Sequence, residues 1–327
     1  MEWLPKIKQD TLKVSLQQPV SEGDIAEYRR KIKLSRWALG FDFVALDTLL
    51  VVGGFIVLGG VMPVVISHTL PRVGSGLLFL ALGLLAATVV WRASQRAIRR
   101  HIRLSKFAAA HNLHYDPAGK EGAIGTGLIF DIGHSRMYRG VMSYEHGGKR
   151  MLEIGRYQYT KGHGKHQHTY YWWYAAVRMA RSLPHMVLDA TQNNARLFGS
   201  NLPVLLPGSQ RISLEGDFDT HFTLYAPKQY DVDARYVFTP DVMAALVDSS
   251  ANFDAEIIDD VVFFYTPDKN QPDEEALGQL FAVLDVVGRE LYDQTDLYAD
   301  DRVADARRAN IVAEQGRRLK KWRIPGI

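Results

Sequence analysis

Histidines are concentrated in one short segment of the sequence, where they could bind a divalent metal. Residues 162–168 read GHGKHQH. In an extended strand His166 and His168 point to the same face, and imidazole nitrogens bind Zn²⁺, Ni²⁺ or Cu²⁺. His163, His166 and His168 are therefore candidate metal ligands. The glycines of the segment and the lack of a nearby carboxylate also fit a solvated hairpin turn.

Three pairs of acidic residues, each separated by one residue, form a second group of candidates. The pairs are Asp217 with Asp219, Asp231 with Asp233, and Asp254 with Glu256. Alternate residues of a strand share one face, so paired carboxylates could bind Mg²⁺ or act as acid and base. Acidic residues are also common in turns and at strand ends, and the sequence identifies no partner for any pair.

Several kinds of active site are excluded by the motifs that the sequence lacks. It contains no GxxxxGK[ST], HExxH or GxSxG motif, so it has no P-loop, zincin helix or hydrolase nucleophile elbow. It contains no cysteine, which excludes disulfides, iron–sulfur clusters and thiol nucleophiles. We expect no cofactor. A run of aromatic residues, YYWWY at 170–174, could line a partner surface or belong to the core.

Basic side chains accumulate in three segments that could bind anionic lipid. The candidates are Arg29, Arg30 and Lys31, then Arg99 and Arg100, and finally Arg317, Arg318, Lys320, Lys321, Trp322 and Arg323. Residues 302–327 carry eight basic and two acidic side chains. Cations beside an aromatic anchor favour a negatively charged membrane surface. The same composition could bind nucleic-acid phosphates or remain solvated, but we expect lipid rather than nucleic acid.

Two apolar runs predict a helical hairpin that crosses a membrane. Residues 49–66 and 73–90 each contain eighteen residues without a charge. At 1.5 Å per residue each run is about 27 Å long, close to the ~30 Å hydrocarbon thickness. Five basic residues lie between residues 29 and 36, six lie between 92 and 106, and the six-residue loop contains Arg72 alone. This asymmetry predicts a multi-pass inner-membrane protein with both termini in the cytoplasm.

Beyond the second run, short alternating segments predict an α+β domain with a mainly antiparallel sheet. Strands are predicted at 128–131, 137–145, 151–160, 169–179, 185–191, 211–214, 221–226, 253–259 and 261–266, and helices at 241–248 and 273–291. The predicted organisation is a cytoplasmic arm with a basic helix (1–42), a transmembrane hairpin (43–67 and 73–91), a basic helical extension (92–110), the α+β domain (111–297) and a basic tail (298–327).

One stretch of the predicted domain resembles a known family. Residues 214–248 read LEGDFDTHFTLYAPKQYDVDARYVFTPDVMAALVD. The matching positions are Glu215, Gly216, Phe218, Phe222, Tyr225, Ala234, Tyr236, Thr239, Pro240, Met243 and Leu246. The stretch resembles a family of bacterial membrane proteins classified only as a domain of unknown function. The resemblance implies one or two N-terminal spans, a cytoplasmic α+β domain and a bacterial origin. It implies no activity.

Together these features predict a membrane-anchored binding or scaffold module that contacts anionic lipid or a protein partner. The alternative is a membrane-tethered enzyme, such as a metal-dependent hydrolase that uses the histidine segment or the Asp217 and Asp219 pair. Small residues allow helices to approach closely in lipid, so they indicate either packing of the two helices of the hairpin against each other or a homo-oligomer. The small residues of the two runs are Gly53, Gly54, Gly59, Gly60, Gly76, Gly83, Ala86 and Ala87.

Overall fold

The structure is a computed structural model of the 327-residue chain. It describes residues 7, 9–33, 53–54, 70–119, 124, 127–194, 200–202, 208–269, 271–296 and 298. The chain divides into two compact units. We call residues 10–120 and 138–142 the helical unit, and residues 121–137 and 143–327, together with 1–9, the sheet unit.

Within its described residues, the helical unit contains three helices and one short strand. These are α1 (Gln9–Gln17), α2 (Glu22–Lys33), α3 (Leu70–Ala110) and β1 (His114–Asp116). A capping box begins α2: the Asp24 N–H donates to Ser21 Oγ at 3.1 Å, and the Ser21 N–H donates to the Asp24 carboxylate at 3.0 Å. Residues 92–110, predicted as a basic helical extension, lie in the last part of α3.

The C-terminal third of α3 packs against the two shorter helices. Ile25 of α2 and Ile102 and Phe107 of α3 are buried. Lys106 Nζ lies 2.7 Å from an Asp24 carboxylate oxygen. This ion pair and the hydrogen bond from Ser21 lower the pKa of Asp24 to about 2. Apolar burial and ion pairing therefore hold these helices together.

The described part of the sheet unit contains most of the strands and five α-helices. Its strands are β2 (His134–His146), β3 (Lys149–Lys161), β4 (His168–Ala190), β5 (Ser209–Ile212), β6 (Phe222–Pro227) and β7 (Asp254–Pro267), the middle of β2 belonging to the helical unit. Its α-helices are α4 (Phe218–His221), α5 (Asp231–Val237), α6 (Pro240–Ser250), α7 (Asp273–Val283) and α8 (Arg289–Thr295). A π-helical turn (Leu284–Gly288) joins the last two.

Strand β4 is the centre of the sheet. Its first part pairs with β3 on one side and β7 on the other, and its last part pairs with β6 and β7. Strand β5 pairs with β6. Each of these pairings is antiparallel, so the predicted α+β class with a mainly antiparallel sheet is confirmed.

The two faces of β4 have different coverings. Trp173, on one face, stacks against Arg156, whose guanidinium lies 4.5 Å from the ring centroid and 3.3 Å from Asp273 at the start of α7. Helices α7 and α8 contact β4. On the opposite face, Tyr174 meets the ring of Phe130 edge-on at 5.2 Å. That face is covered by the turn at residues 127–131, and it contains most of the buried polar groups described below.

Five predicted strands differ from the observed ones. The strand predicted at 128–131 is wrong, because this segment is a turn whose Ile129 and Phe130 side chains are buried. The segments 169–179 and 185–191 form one strand, and a shift of register against β7 accommodates the intervening residues, which include Pro184. The segments 253–259 and 261–266 also form one strand, in which Asp259 has a φ of 52°.

The second apolar run, residues 73–90, lies within α3. The first run lies outside the described residues, apart from Gly53 and Gly54, which are helical. Within the described ranges, no helix has both the length and the apolar character that crossing a membrane requires.

Candidate functional site

The middle of α3 exposes large apolar side chains. Leu82, Leu84, Leu85, Val89 and Trp91 are each between 52% and 62% exposed. A helix turns through 100° per residue, so these five positions face several directions rather than forming one stripe. Soluble proteins rarely expose apolar groups so closely together. We define residues 81–100 as the apolar–basic segment of α3.

The basic half of this segment follows the apolar half directly. Arg92, Arg96 and Arg99 are exposed, and Arg100 is half-buried. Arg99 lies 3.5 Å from Glu22 of α2. Of the other predicted lipid-binding residues, Arg29 and Arg30 are exposed on α2. The side chain of Lys31 and residues Arg317, Arg318, Lys320, Lys321, Trp322 and Arg323 lie outside the described part of the chain.

The histidine segment forms the connection between β3 and β4. His166 belongs to a short 3₁₀ turn and His168 begins β4. The ring of His163 stacks on His134 at 5.2 Å, and His168 contacts Tyr170. Among the described residues, no group of three or more His, Cys, Asp or Glu side chains could hold a metal ion. The metal hypothesis for His163, His166 and His168 gains no support from this arrangement.

The first two acidic pairs have separate, local partners. Asp219 accepts hydrogen bonds from Ser213 Oγ at 2.5 Å and from the Leu214 N–H at 3.2 Å. Asp217 is exposed and lies 3.9 Å from His221. Asp231 pairs with Arg235 along α5, and Asp233 accepts a hydrogen bond from Tyr298 at 2.7 Å. Neither pair forms a shared site.

The third pair, Asp254 and Glu256 on β7, is buried, but its two members belong to different networks. Glu256 is 1% exposed and accepts three hydrogen bonds. The donors are the His185 ring at 2.7 Å, the Leu128 N–H at 2.7 Å and Tyr265 Oη at 2.8 Å. Both carboxylate oxygens therefore have partners. The contacts hold the turn at residues 127–131 on the sheet and orient the imidazole of His185.

Close packing of Gly127 completes this network. A Cβ atom at Gly127 would lie 2.0 Å from Tyr265 Oη and 2.6 Å from a Glu256 oxygen.

A second buried carboxylate, Glu153, lies on the same face of the sheet. It accepts hydrogen bonds from Arg150 and Tyr174, each at 2.7 Å. These contacts stabilise the turn and the neighbouring strands by burial and complete hydrogen bonding.

Asp254 has a different environment at the start of β7. It is completely buried, and one of its oxygens accepts a hydrogen bond from the Ala190 N–H at 2.9 Å. Leu188 pairs with Ala255, so the next position of β4, Asp189, lies beside Asp254. Asp189 is 3% exposed. The antiparallel register therefore places two buried carboxylates on neighbouring strands.

Burial disfavours the charged forms of both aspartates. It raises the pKa of Asp189. It also raises the pKa of Asp254 to about 7, and the nearby charge of Asp189 raises it further. The hydrogen bond from the Ala190 N–H and the nearby amide side chains of Asn193 and Asn201 oppose this shift. The pair thus carries an unfavourable negative charge that these few donors offset only in part.

Several buried oxygens around this pair accept no hydrogen bond from another protein group. They are Asp189 Oδ1, Asp254 Oδ2, Asn193 Oδ1 and Asn201 Oδ1, and the Asn201 amide nitrogen is likewise without a partner. We call Asp189, Asn193, Asn201 and Asp254 the aspartate–asparagine cluster. Asn193 follows the end of β4, and its amide nitrogen donates to the Asn252 carbonyl at 3.3 Å. Asn194 accepts a hydrogen bond from the Asn201 N–H at 2.7 Å, which connects the two parts of this loop.

The aromatic run supplies both core and surface. Trp172, Trp173 and Tyr174 are buried in β4, whereas Tyr170 and Tyr171 are 37% and 54% exposed.

Sequence reasoning included Asp254 and Glu256 but missed Gly127, His185, Tyr265 and the cluster partners. The missed residues differ from other residues of their type only in being packed beside a buried carboxylate. The sequence alone does not reveal this position, because it depends on strand pairing.

Comparisons with known proteins add little. No family model matches the chain, and no curated protein matches it. The resemblance of residues 214–248 to a bacterial membrane family stays a prediction. The structure is similar to the crystal structure of the mycobacterial trehalose monomycolate transport factor A, TtfA, with a TM-score of 0.41 and 10% identity over 61% of this chain and 96% of that chain. A likeness of this extent supports no statement about function.

Proposed function

We propose that this chain is a bacterial membrane-anchored module. Residues 43–91 form the anchor, and the remainder of the chain lies on the cytoplasmic side, where it contacts anionic lipid or a protein partner. The observation that carries this proposal is the apolar–basic segment of α3. Its apolar half is exposed on several sides, and its basic half begins within one turn of the last exposed apolar residue.

The exposed apolar half supports contact with lipid. Full burial of a leucine or valine side chain stabilises by about 1.5–3 kcal/mol relative to leaving it in water. Leu82, Leu84, Leu85 and Val89 together would therefore gain several kcal/mol from a hydrocarbon environment. In contrast, Ile102, Leu104 and Phe107, farther along the same helix, are buried by protein. The later part of α3 is thus covered by protein, whereas its apolar half is exposed.

The basic half supports a position at a negatively charged membrane surface. Arg92 and Arg96 are exposed at the end of the apolar half, and Trp91 precedes them, as in the aromatic and basic borders of membrane helices. Each basic side chain near an anionic leaflet contributes about 1 kcal/mol of attraction. An excess of basic residues at both ends of the anchor supports a cytoplasmic location for both termini.

Single cysteines offer a direct test, because the natural chain contains none. We expect a cysteine at His68 to react with a membrane-impermeant maleimide in intact cells. A cysteine at Ser105, which is exposed on α3, should react only after the membrane is permeabilised. Equal labelling of both positions in intact cells, or release of the chain by alkaline carbonate, would contradict the proposal.

A charge-insertion variant tests the anchor itself. Arginine near the centre of a membrane helix costs about 2.5–3.5 kcal/mol per residue. The double substitution Leu84→Arg and Leu85→Arg should therefore move the chain out of the carbonate-resistant membrane fraction. The matched variant Leu84→Phe and Leu85→Phe keeps the segment apolar and should remain in that fraction. Retention of the arginine variant would contradict lipid insertion of this segment.

The lipid contact is tested by the phosphatidylglycerol that stays bound to the chain after mild detergent extraction from mixed vesicles. Arg92→Gln with Arg96→Gln should reduce this amount, since each lost cation weakens the attraction about fivefold. Arg211→Gln removes an exposed cation from β5 and should leave the bound lipid unchanged. Equal lipid retention in all three proteins would contradict the lipid contact and leave only the anchor.

A further inference from the structure

We propose that the aspartate–asparagine cluster of the sheet unit binds one hard divalent cation, Ca²⁺ or Mg²⁺, through oxygen ligands. The inference is independent of membrane anchoring, because all four residues belong to the sheet unit. The ligands would be the carboxylates of Asp189 and Asp254 and the amide oxygens of Asn193 and Asn201.

The first argument is the hydrogen-bond deficit of this cluster. Buried polar atoms in proteins nearly always have a partner, and each unsatisfied group costs about 1–3 kcal/mol. Here four oxygens from four side chains accept no hydrogen bond from the protein, two of them on residues that are at least 97% buried. A cation among these oxygens would satisfy them simultaneously.

The second argument is the charge of the pair. Two carboxylates on neighbouring strands repel each other in a poorly solvated environment, and the described donors nearby are all neutral, namely amides and the Ser200 hydroxyl. This differs from Glu153, whose charge is balanced by Arg150 at 2.7 Å. A divalent cation would neutralise both aspartates and replace the missing basic side chain. A proton on one aspartate would leave the oxygens of the other without a positive partner.

The third argument concerns the class of cation. Carboxylate and amide oxygens are the ligands that Ca²⁺ and Mg²⁺ prefer, whereas Zn²⁺ and Cu²⁺ favour the nitrogen and sulfur ligands that this cluster lacks. Four protein oxygens leave positions for water in the six to eight sites that Ca²⁺ usually fills. Because Asn193 and Asn201 lie in the loop after β4, binding would also fasten this loop to the start of β7.

Binding is measured on the full-length chain in detergent after removal of metals with EDTA. CaCl₂ and MgCl₂ are titrated separately, with stoichiometry from equilibrium dialysis and affinity from calorimetry. We expect one equivalent of at least one cation to bind and to raise the unfolding temperature. Asp254→Asn and Asp189→Asn should each weaken binding at least about tenfold. Asp248→Asn, which removes an exposed carboxylate from α6, should bind like the natural chain.

Asn201→Ala distinguishes weakened binding from loss of folding, which the aspartate variants could confuse. Asn201 is only partly buried, so this variant should melt like the natural chain in EDTA and should still bind the cation more weakly. Failure of both cations to bind the natural chain at millimolar concentration would overturn the proposal. Unchanged binding in both aspartate variants would overturn it as well, because it would place the cation elsewhere.

Discussion

Asp254 and Glu256 lie two residues apart on β7, and both side chains are buried, but their surroundings differ. Glu256 receives hydrogen bonds from an imidazole, a tyrosine hydroxyl and a backbone N–H. Asp254 receives one backbone hydrogen bond at 2.9 Å, while its second oxygen accepts none from the protein. One carboxylate is thus completely satisfied within the fold and the other is not.

The comparison separates two roles for buried acids. A satisfied carboxylate such as Glu256 organises the structure around it, because each of its partners comes from a different part of the sheet unit. An unsatisfied carboxylate such as Asp254 costs free energy unless something outside the protein supplies the missing charge or hydrogen bond. The four predictions below test whether the two positions differ in this way.

The largest effect is expected at Glu256. Glu256→Ala removes the acceptor of three hydrogen bonds and leaves Leu128 and Tyr265 donors buried without it. Breaking a buried charged network usually costs about 3–5 kcal/mol. Urea unfolding of the purified chain, followed by tryptophan fluorescence, measures this loss. Glu215→Ala removes an exposed carboxylate and should change the free energy of unfolding little. Equal stability of the two variants would remove the distinction.

Asp254 should make stability depend on pH in the opposite sense to an ordinary paired carboxylate. Its pKa is about 7 in the folded chain against 3.8 for an ordinary aspartate, so the folded state retains the proton to higher pH. The contribution of Asp254 to the free energy of unfolding is therefore largest below pH ~4. It decreases as the pH rises through 7, and the total decrease is roughly 4 kcal/mol. Asp254→Asn should abolish this decline.

Urea unfolding between pH 4 and 8 in EDTA measures the effect. Asp248→Asn should keep the decline of the natural chain, since that carboxylate is exposed. Addition of Ca²⁺ or Mg²⁺ should restore stability at pH 8 in the natural chain but not in Asp254→Asn. A decline that survives in Asp254→Asn would assign it to another group.

A substitution at Gly127 tests how closely the Glu256 network is packed. Gly127→Ala would place a methyl group against Tyr265 Oη and a Glu256 oxygen, and overpacking of this kind costs about 1–3 kcal/mol. Gly288→Ala is the matched control, because its Cβ would meet Leu284 at 3.8 Å, an ordinary contact within a helical segment. We expect the control to be neutral or slightly stabilising. Destabilisation of both variants alike would indicate a general sensitivity to alanine.

The smallest effect is expected at Tyr174. Tyr174→Phe removes the hydroxyl that donates to Glu153 at 2.7 Å and retains the aromatic ring. The loss should be about 1 kcal/mol, since Arg150 still binds the carboxylate. Tyr171→Phe, at a position that is 54% exposed, should unfold at the same urea concentration as the natural chain. Loss of several kcal/mol in Tyr174→Phe would mean that Glu153 depends on this single contact.

Local patterns were sufficient to predict much of the fold. The helix at 273–291 follows from its acidic first turn and apolar stripe, and the structure contains α7, the π-helical turn and α8 in this interval. The strand at 151–160 lies within β3. Segment 128–131 was predicted incorrectly, because Ile129 and Phe130 pack onto the sheet from a turn. Segments 169–179 and 185–191 were predicted as two strands, whereas Pro184 falls within one continuous strand.

The candidate sites were predicted unevenly for the same reason. Basic and apolar composition is a property of contiguous residues, so the sequence alone identified the apolar–basic character of residues 73–106. Asp254 and Glu256 were identified as candidates by their spacing. Asp189 and His185 were not identified. Asp189 precedes Asp254 by about 65 residues, and His185 precedes Glu256 by about 71, so only the register of β4 against β7 brings each beside its partner.

Amino-acid order by itself determined the α+β class, the positions of most strands and the separation of apolar from basic residues, because these depend on period, turn residues and composition within short segments. Tertiary structure decided which buried acids have partners. That outcome depends on pairing between distant strands and on the turn at residues 127–131 folding over β7. Solvation of a carboxylate is set by all the groups around it, so neighbours in sequence such as Asp254 and Glu256 can acquire opposite physical roles.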